Sequence, residues 1–276
     1  MVKDNLYGLI GQKLSHSISP IVHKEILKRM NINGKYELYE IEPCNLKDFI
    51  EECKISGIKG LNVTIPYKIS SIDYIDELSE EAKRIGSINT ILFDGEKAIG
   101  YNTDYQGFSL MLDKYNLKVE GKNALILGTG GVVRAVLCSL IDKGIKNIYV
   151  ASRDVKVGLS QKWPDCVEII SYDLLPNIKD VEYIINCTPC GMAPNIEACP
   201  VNKDLIKNFS VAIDLIYNPS KTLFLSYAEQ YGLKIYNGLY MLIAQGVISQ
   251  EIWNGISVDK KQIDIIFEIV KNNLSL

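Results

Sequence analysis

Between residues 124 and 236 the chain repeats one pattern six times, and that repetition limits the fold more than any other feature. Short apolar, β-branched runs stand at ALIL (124–127), NIYVA (147–151), VEII (167–170), YIINC (183–187), VAIDLI (211–216) and LKIY (233–236). Segments long enough for a helix or a long loop separate most of them. That alternation is the pattern of a parallel sheet with crossover helices. Six such runs predict a doubly wound sheet built from two mononucleotide-binding halves.

The first hundred residues are less regular. Strands are expected at NLYGLIG, KYELYEIE and GLNVTI, with a hairpin ILFDG-EKAIGY turning on Asp94-Gly95. Helices are expected at about 20–31 and 45–55, the first with Ser19 as N-cap and Pro20 at its first position. Two more close the chain, YMLIAQGVISQEIW and VDKKQIDIIFEIV, the latter with Ile263, Ile266, Phe267 and Val270 on one face. Six strands complete the central sheet, so these last helices are expected to pack elsewhere, back on the first domain. The fold class is therefore α/β, with a chain of 276 residues suiting two domains.

Bulk composition removes several function classes. With 47% hydrophobic and 23% charged residues the chain is globular. Its 30 basic and 33 acidic residues are mixed along the sequence, which leaves no footprint for nucleic acid or an anionic membrane. No apolar run approaches the roughly 20 residues that span a bilayer. MVKDNLYGLIG runs into a strand without a separate apolar core and cleavage site, so no secretory signal is expected. Seven cysteines, an odd number, then read as reduced thiols in a cytoplasmic protein. Cys187 and Cys190 form a C-x-x-C, but a zinc site would need further ligands. The only histidines, His16 and His23, lie far off in sequence, so no metal is expected.

ALILGTGGVVRAVLCSLIDKG reads as strand, glycine turn and amphipathic helix, the context that a dinucleotide fingerprint requires. Gly128 permits the tight turn, Gly130 lets backbone approach a pyrophosphate at the helix N-terminus, and Gly131 adds flexibility. Val133 stands where the third glycine of G-x-G-x-x-G is usual. After the next strand comes ASRD (151–154): Arg153 and Lys156 favour a 2′-phosphate, whereas Asp154 favours a ribose hydroxyl. NADP is the expected cofactor, with NAD left open.

A nicotinamide enzyme that reduces a ketone needs an acid within hydrogen-bond reach of the forming alkoxide. Lys68, beyond the polar-studded strand GLNVTI, is one candidate; Asp104, in GYNTDYQGF, is its expected partner. Both are expected to face the cleft between domains. Paired, the aspartate would orient the lysine and favour its ammonium form, while burial would work against that charge. Singly, a strand-end lysine and a helix-capping aspartate are commoner than catalysts.

The combination decides between these readings. SHSISP (15–20), NVTIPYK (62–68), SINT (87–90), NTDYQGF (102–108), GTGG (128–131), NCTPCGM (186–192), DLIYNP (214–219) and NGLYMLIAQ (237–245) occur in that order. Over essentially its whole length the chain closely resembles the shikimate/quinate dehydrogenase family. The resemblance implies a substrate-binding catalytic domain (1–104 and 239–276) completed by the C-terminal helices, and a Rossmann-type NADP-binding domain (105–238). It implies reversible NADP-dependent reduction of 3-dehydroshikimate to shikimate in aromatic amino-acid biosynthesis, by a monomer or homodimer. Carried over by position, Lys68 and Asp104 match the catalytic pair. Ser17 and Ser19 match the hydroxyls that bind the substrate carboxylate, with Tyr217 closing nearby. Asn62, Thr64, Asn89 and Gln245 match the positions that line the ring hydroxyls. Gly128, Gly130, Gly131, Ser152, Arg153, Thr188 and Gly238 match the cofactor side.

Four departures stand out. Lys13 replaces a frequent proline, Val133 a smaller residue, Asp154 a residue that commonly helps hold the 2′-phosphate, and Cys187 with Cys190 other small residues. The rivals are an NAD-using or dual quinate/shikimate dehydrogenase, a mechanism resting on His16, and a non-catalytic metabolite-binding regulator on the same scaffold.

Overall fold

The computed structural model describes residues 5–156 and 163–273. They form two compact units, one of Met1–Met111 with Leu242–Ser275 and the other of Leu112–Met241. Both boundaries fall a few residues beyond those drawn from sequence, inside the helices Thr103–Lys114 and Leu239–Asn254.

In the second unit the six expected runs are all strands: β7 (Asn123–Leu127), β8 (Asn147–Ser152), β9 (Val167–Ser171), β10 (Tyr183–Asn186), β11 (Val211–Asp214) and β12 (Lys234–Asn237). They lie in the order β12-β11-β10-β7-β8-β9, and every pairing is parallel. The fold is the expected doubly wound one. Strands covered on both faces lose the polar alternation of a half-exposed sheet, which is why they read as unbroken apolar runs. Leu125, Ile184, Ala212 and Phe224 sit at the centre of this core with no accessible surface. The chain order reverses between β7 and β10, so the carboxyl ends of these two strands flank the switch point where such sheets take ligands.

The first unit holds a mixed sheet in the order β2-β1-β3-β5-β6-β4, from β1 (Asn5–Gly11), β2 (Gly34–Glu40), β3 (Ile58–Val63), β4 (Glu77–Leu78), β5 (Thr90–Asp94) and β6 (Lys97–Tyr101). The short β4 was not expected. β1 runs parallel to β2 and β3, whereas β5 and β6 form the hairpin, with Asp94 opposite Lys97. The turn residues are therefore Gly95 and Glu96, with Gly95 at φ +60°, rather than Asp94-Gly95. Ile10, Leu61, Ile88 and Ile91 make the centre of the core.

One register decides what meets at the strand ends on one side of this sheet. Asn62 on β3 faces Thr90 on β5, and Thr90 faces Tyr101 on β6. Because β5 is antiparallel to both neighbours, the chain after β3, before β5 and after β6 emerges on the same side. Residues 64–68, 87–89 and 102–104 are thereby gathered.

Candidate active site

GLNVTI is not a strand to its end. β3 stops at Val63, and Lys68 lies in a one-turn helix, Tyr67–Ser70, entered from Pro66. Thr64 makes the connection: its N–H donates to the Ile10 carbonyl (3.0 Å), and its carbonyl accepts from Tyr67 N (2.9 Å). Tyr67 is buried beneath this turn.

The Lys68 Nζ lies 2.6 Å from Asp104 Oδ2, with side-chain exposures of 15% and 8%. Both partners are tied to the segment 87–90. The Lys68 carbonyl accepts from Ile88 N (2.8 Å), and the residue before Asp104, Thr103, donates its N–H to Asn89 Oδ1 (2.7 Å). Asp104 does not cap its helix. Asn102 does, accepting from Tyr105 N (3.3 Å), so the Asp104 carboxylate is available to the lysine. A short charge-assisted bond between two largely shielded groups is a strong one.

Behind the pair lies a buried polar network. Asn89 Nδ2 donates to Thr103 Oγ1 (2.9 Å) and Gln245 Oε1 (3.3 Å). Gln245 Nε2 donates to the Leu242 carbonyl (2.8 Å). Asn62 is engaged at both ends: Oδ1 accepts from Tyr36 OH (2.8 Å), while Nδ2 faces Ser249 Oγ (2.9 Å) and Thr90 Oγ1 (3.1 Å). Sequence reasoning singled out Asn62, Asn89 and Gln245 but missed Tyr36, Thr90, Thr103 and Ser249. One signal was present: Gln245 and Ser249, four apart, are polar interruptions on one face of an apolar helix.

His23 backs the same network. Its ring stacks on Tyr36 at 3.8 Å, and Nδ1 lies 3.1 Å from Gln250 Nε2. Gln250 Oε1 accepts from Asn254 Nδ2 (3.0 Å), so its Nε2 is the donor and His23 Nδ1 the acceptor. Burial depresses the imidazole pKa to about 3, so His23 is neutral at physiological pH. His16, by contrast, is exposed in the serine loop. Ser17 Oγ donates to Ser19 Oγ (3.1 Å) and accepts from Ser19 N (3.2 Å). Ser19 is the first helical residue, and Ile18 stands at the cap without a side-chain bond. The expected Ser19 cap is therefore absent: the Ile21 and Val22 N–H groups donate to the Ile18 carbonyl (3.0 and 3.1 Å).

The remaining site residues belong to the second unit. Gly128, after β7, has φ +104°, a conformation that side chains rarely adopt. A Cβ added to Gly130 would meet nothing within 4 Å, so the turn is open in front of the helix Gly131–Asp142. Val133 is fully buried inside that helix, facing the core instead of the turn. Ser152 is buried, its hydroxyl donating to the Asp154 carbonyl (2.7 Å), and Arg153 is exposed beside it. Asp154 Oδ1 accepts from Lys156 N (3.0 Å). An open glycine turn at a helix N-terminus with an exposed arginine after the next strand fits a phosphorylated dinucleotide.

Thr188 follows β10, its methyl 2.9 Å from where a Gly128 Cβ would stand. Gly238 has a packing reason of its own, since a Cβ there would fall 2.0 Å from the Leu215 carbonyl oxygen. Tyr217 is half-buried beyond β11. Burial pushes the thiols of Cys187, Cys190 and Cys199 above their ordinary range, the opposite of what a redox or zinc thiolate needs. Among the described residues no helix is long and apolar enough to cross a membrane.

Residues 9–91 match the family model of the shikimate dehydrogenase substrate binding domain. The chain is 44% identical over 266 residues to a Clostridium perfringens protein named shikimate dehydrogenase (NADP(+)), covering 96% of this chain and 98% of the relative. It is similar in structure to a chorismate mutase/shikimate 5-dehydrogenase fusion protein from Clostridium acetobutylicum, with TM-score 0.94, 44% identity and 100% of both chains covered. A shikimate 5-dehydrogenase from Thermus thermophilus in complex with NADP(H) and shikimate matches at TM-score 0.84 and 29% identity, over 96% and 98% of the chains.

Proposed function

The chain belongs to the shikimate dehydrogenase family, and from that we infer that it reversibly reduces 3-dehydroshikimate to shikimate with NADP. The observation that carries the chemistry is the shielded Lys68–Asp104 pair at 2.6 Å. When bound, the nicotinamide supplies or accepts the hydride. Reduction leaves negative charge on the former carbonyl oxygen, and the Lys68 ammonium gives that oxygen a proton. Asp104 holds the ammonium in place through its charge-assisted bond. In the reverse direction neutral Lys68 takes the proton from the hydroxyl. Ser17 and Ser19 offer hydroxyls to the substrate carboxylate, and Tyr217 is assigned to the substrate as well.

Thr64, Asn89 and Gln245 meet the ring hydroxyls. Neutral donors and acceptors held rigidly in this way discriminate against analogues that leave one of them unmatched. Asn62 lines the same ring hydroxyls; its amide and that of Asn89, both engaged at both ends, also hold Thr90, Ser249 and Thr103 in place. On the cofactor side, Gly128, Gly130 and Gly131 take the pyrophosphate, and Arg153 with Ser152 takes the 2′-phosphate. Thr188 and Gly238 border the nicotinamide. The seven free thiols suit a reducing, cytoplasmic setting for a monomer or homodimer.

The test is the absorbance of reduced cofactor during oxidation of shikimate and of quinate, each with NADP and NAD. Shikimate with NADP is expected to give the highest kcat/KM. No turnover of shikimate with either cofactor would refute the reading.

A further inference from the structure

Asp214 ends β11 with no accessible surface, although it belongs neither to the proton-transfer pair nor to the glycine turn. Its surroundings are all donors. Oδ2 accepts from Thr222 Oγ1 (2.6 Å), and Oδ1 accepts from Ile216 N (3.0 Å) and Asn186 Nδ2 (3.0 Å). Three converging donors are satisfied by a group that only accepts, which a carboxylate is and an amide is not.

Asn186 is its parallel neighbour at the end of β10. An amide can sit either way round, and here its surroundings choose. Nδ2 lies between two acceptors, the Asp214 carboxylate and the Cys190 carbonyl (3.3 Å), so Oδ1 must face the opposite way. There it accepts from Thr188 N (3.0 Å) and Thr188 Oγ1 (2.7 Å). Thr188 Oγ1 in turn accepts from Cys190 N (3.2 Å), while its methyl packs at the Gly128 turn. A second branch leaves through Ile216, whose carbonyl accepts from Gly238 N (3.1 Å). Three segments assigned to the ligand side (Thr188, the loop to Tyr217, and Gly238) thus hang from one carboxylate.

We propose that Asp214 is a positioning residue for NADP binding, its carboxylate setting the orientation of Asn186 and hence the place of Thr188 against the glycine turn. The inference rests on the proposed function. Burial raises the Asp214 pKa to about 7, so the group changes charge near neutrality. The other titratable groups that face it are the thiols of Cys187, Cys190 and Cys199. All three are raised and stay protonated through that range.

The test is NADP and shikimate affinity, measured by calorimetry on wild type and Asp214→Asn from pH 6 to 8.5, beside thermal melting. At pH 8 the variant is expected to bind NADP about tenfold more weakly, with shikimate affinity within about twofold. The two proteins should converge towards pH 6, where the wild-type carboxyl is also neutral. Melting within a few degrees of wild type is expected at pH 8, since the buried charge removed offsets the acceptor lost to the Thr222 hydroxyl; a fall in melting with NADP affinity unchanged would mark a purely structural aspartate and overturn the inference. Thr222→Val keeps the charge and removes one donor, and should weaken NADP binding alone by a few-fold. Unchanged NADP affinity in both variants, or a parallel loss of shikimate affinity, overturns the inference and leaves the proposed function standing. A wild type that binds no NADP overturns both.

Discussion

Lys68→Met removes the ammonium and keeps most of the side-chain volume, which isolates the proton donor from packing. Losing a general acid costs about 10²- to 10⁴-fold in kcat, or about 2.7–5.4 kcal/mol of barrier. The upper half of that range is expected, because with side-chain exposures of 15% and 8% the pair leaves little room for bulk water to replace the ammonium. The same change strips Asp104 of its ion-pair partner. A partly shielded carboxylate left alone costs about 1–3 kcal/mol of stability, a fall of several degrees in Tm.

Asp104→Asn should slow turnover about 10- to 100-fold, since it leaves the donor in place but unaligned. In the double variant the two losses should not multiply. With no lysine to orient, Asp104→Asn costs nothing more in kcat, and it restores stability by removing the orphaned charge. The assay is steady-state kcat for shikimate oxidation in the four proteins, with thermal melting and NADP affinity as controls. Retention by Lys68→Met of more than a tenth of wild-type kcat, or losses that multiply in the double variant, would refute the assignment.

Two further expectations concern the scaffold. Gly60→Ala on β3 would put a Cβ 2.0 Å from Trp253 Nε1, which donates to the Ile91 carbonyl; urea denaturation should show a loss of about 2–3 kcal/mol. His23 has a folded pKa of about 3 against 6.5 unfolded, so its contribution is complete above pH 6.5 and is lost as pH falls towards 3. Between pH 7 and 5 that loss is about 2 kcal/mol, and the stability gap between wild type and His23→Gln should narrow by that amount.

Much of the architecture was legible because it rests on local chemistry. The inner strands β7, β10 and β11 lie buried on both faces, so their runs stand out from the helices between them, while the outer β9 and β12 are partly exposed. The C-terminal face Ile263, Ile266, Phe267 and Val270 is buried as its spacing indicated. Errors fell where one hydrogen bond displaced another. The first helix begins at Ser19 itself, so the Ile21 and Val22 N–H groups that a Ser19 cap would satisfy go to the Ile18 carbonyl, and Lys68 lies in a helical turn instead of at a strand end. The polar network was the least legible part, since Tyr36, Thr90 and Ser249 are ordinary residues in sequence and become partners only through folding.

The sequence by itself determined the α/β class, the glycine turn and the family, because periodicity, turn chemistry and ordered motifs are written along the chain. It named Lys68 and Asp104 as an expected pair without supplying the contact between them. That was decided by the register of β3, β5 and β6, which brings residues 36 positions apart to within 2.6 Å beyond the same end of these strands. The same holds for Asp214: it opens the motif DLIYNP, but what it does is visible only where donors from Ile216, Thr222 and, across the sheet, Asn186 converge on it. Register and side-chain direction are non-local quantities, set by how whole strands pack.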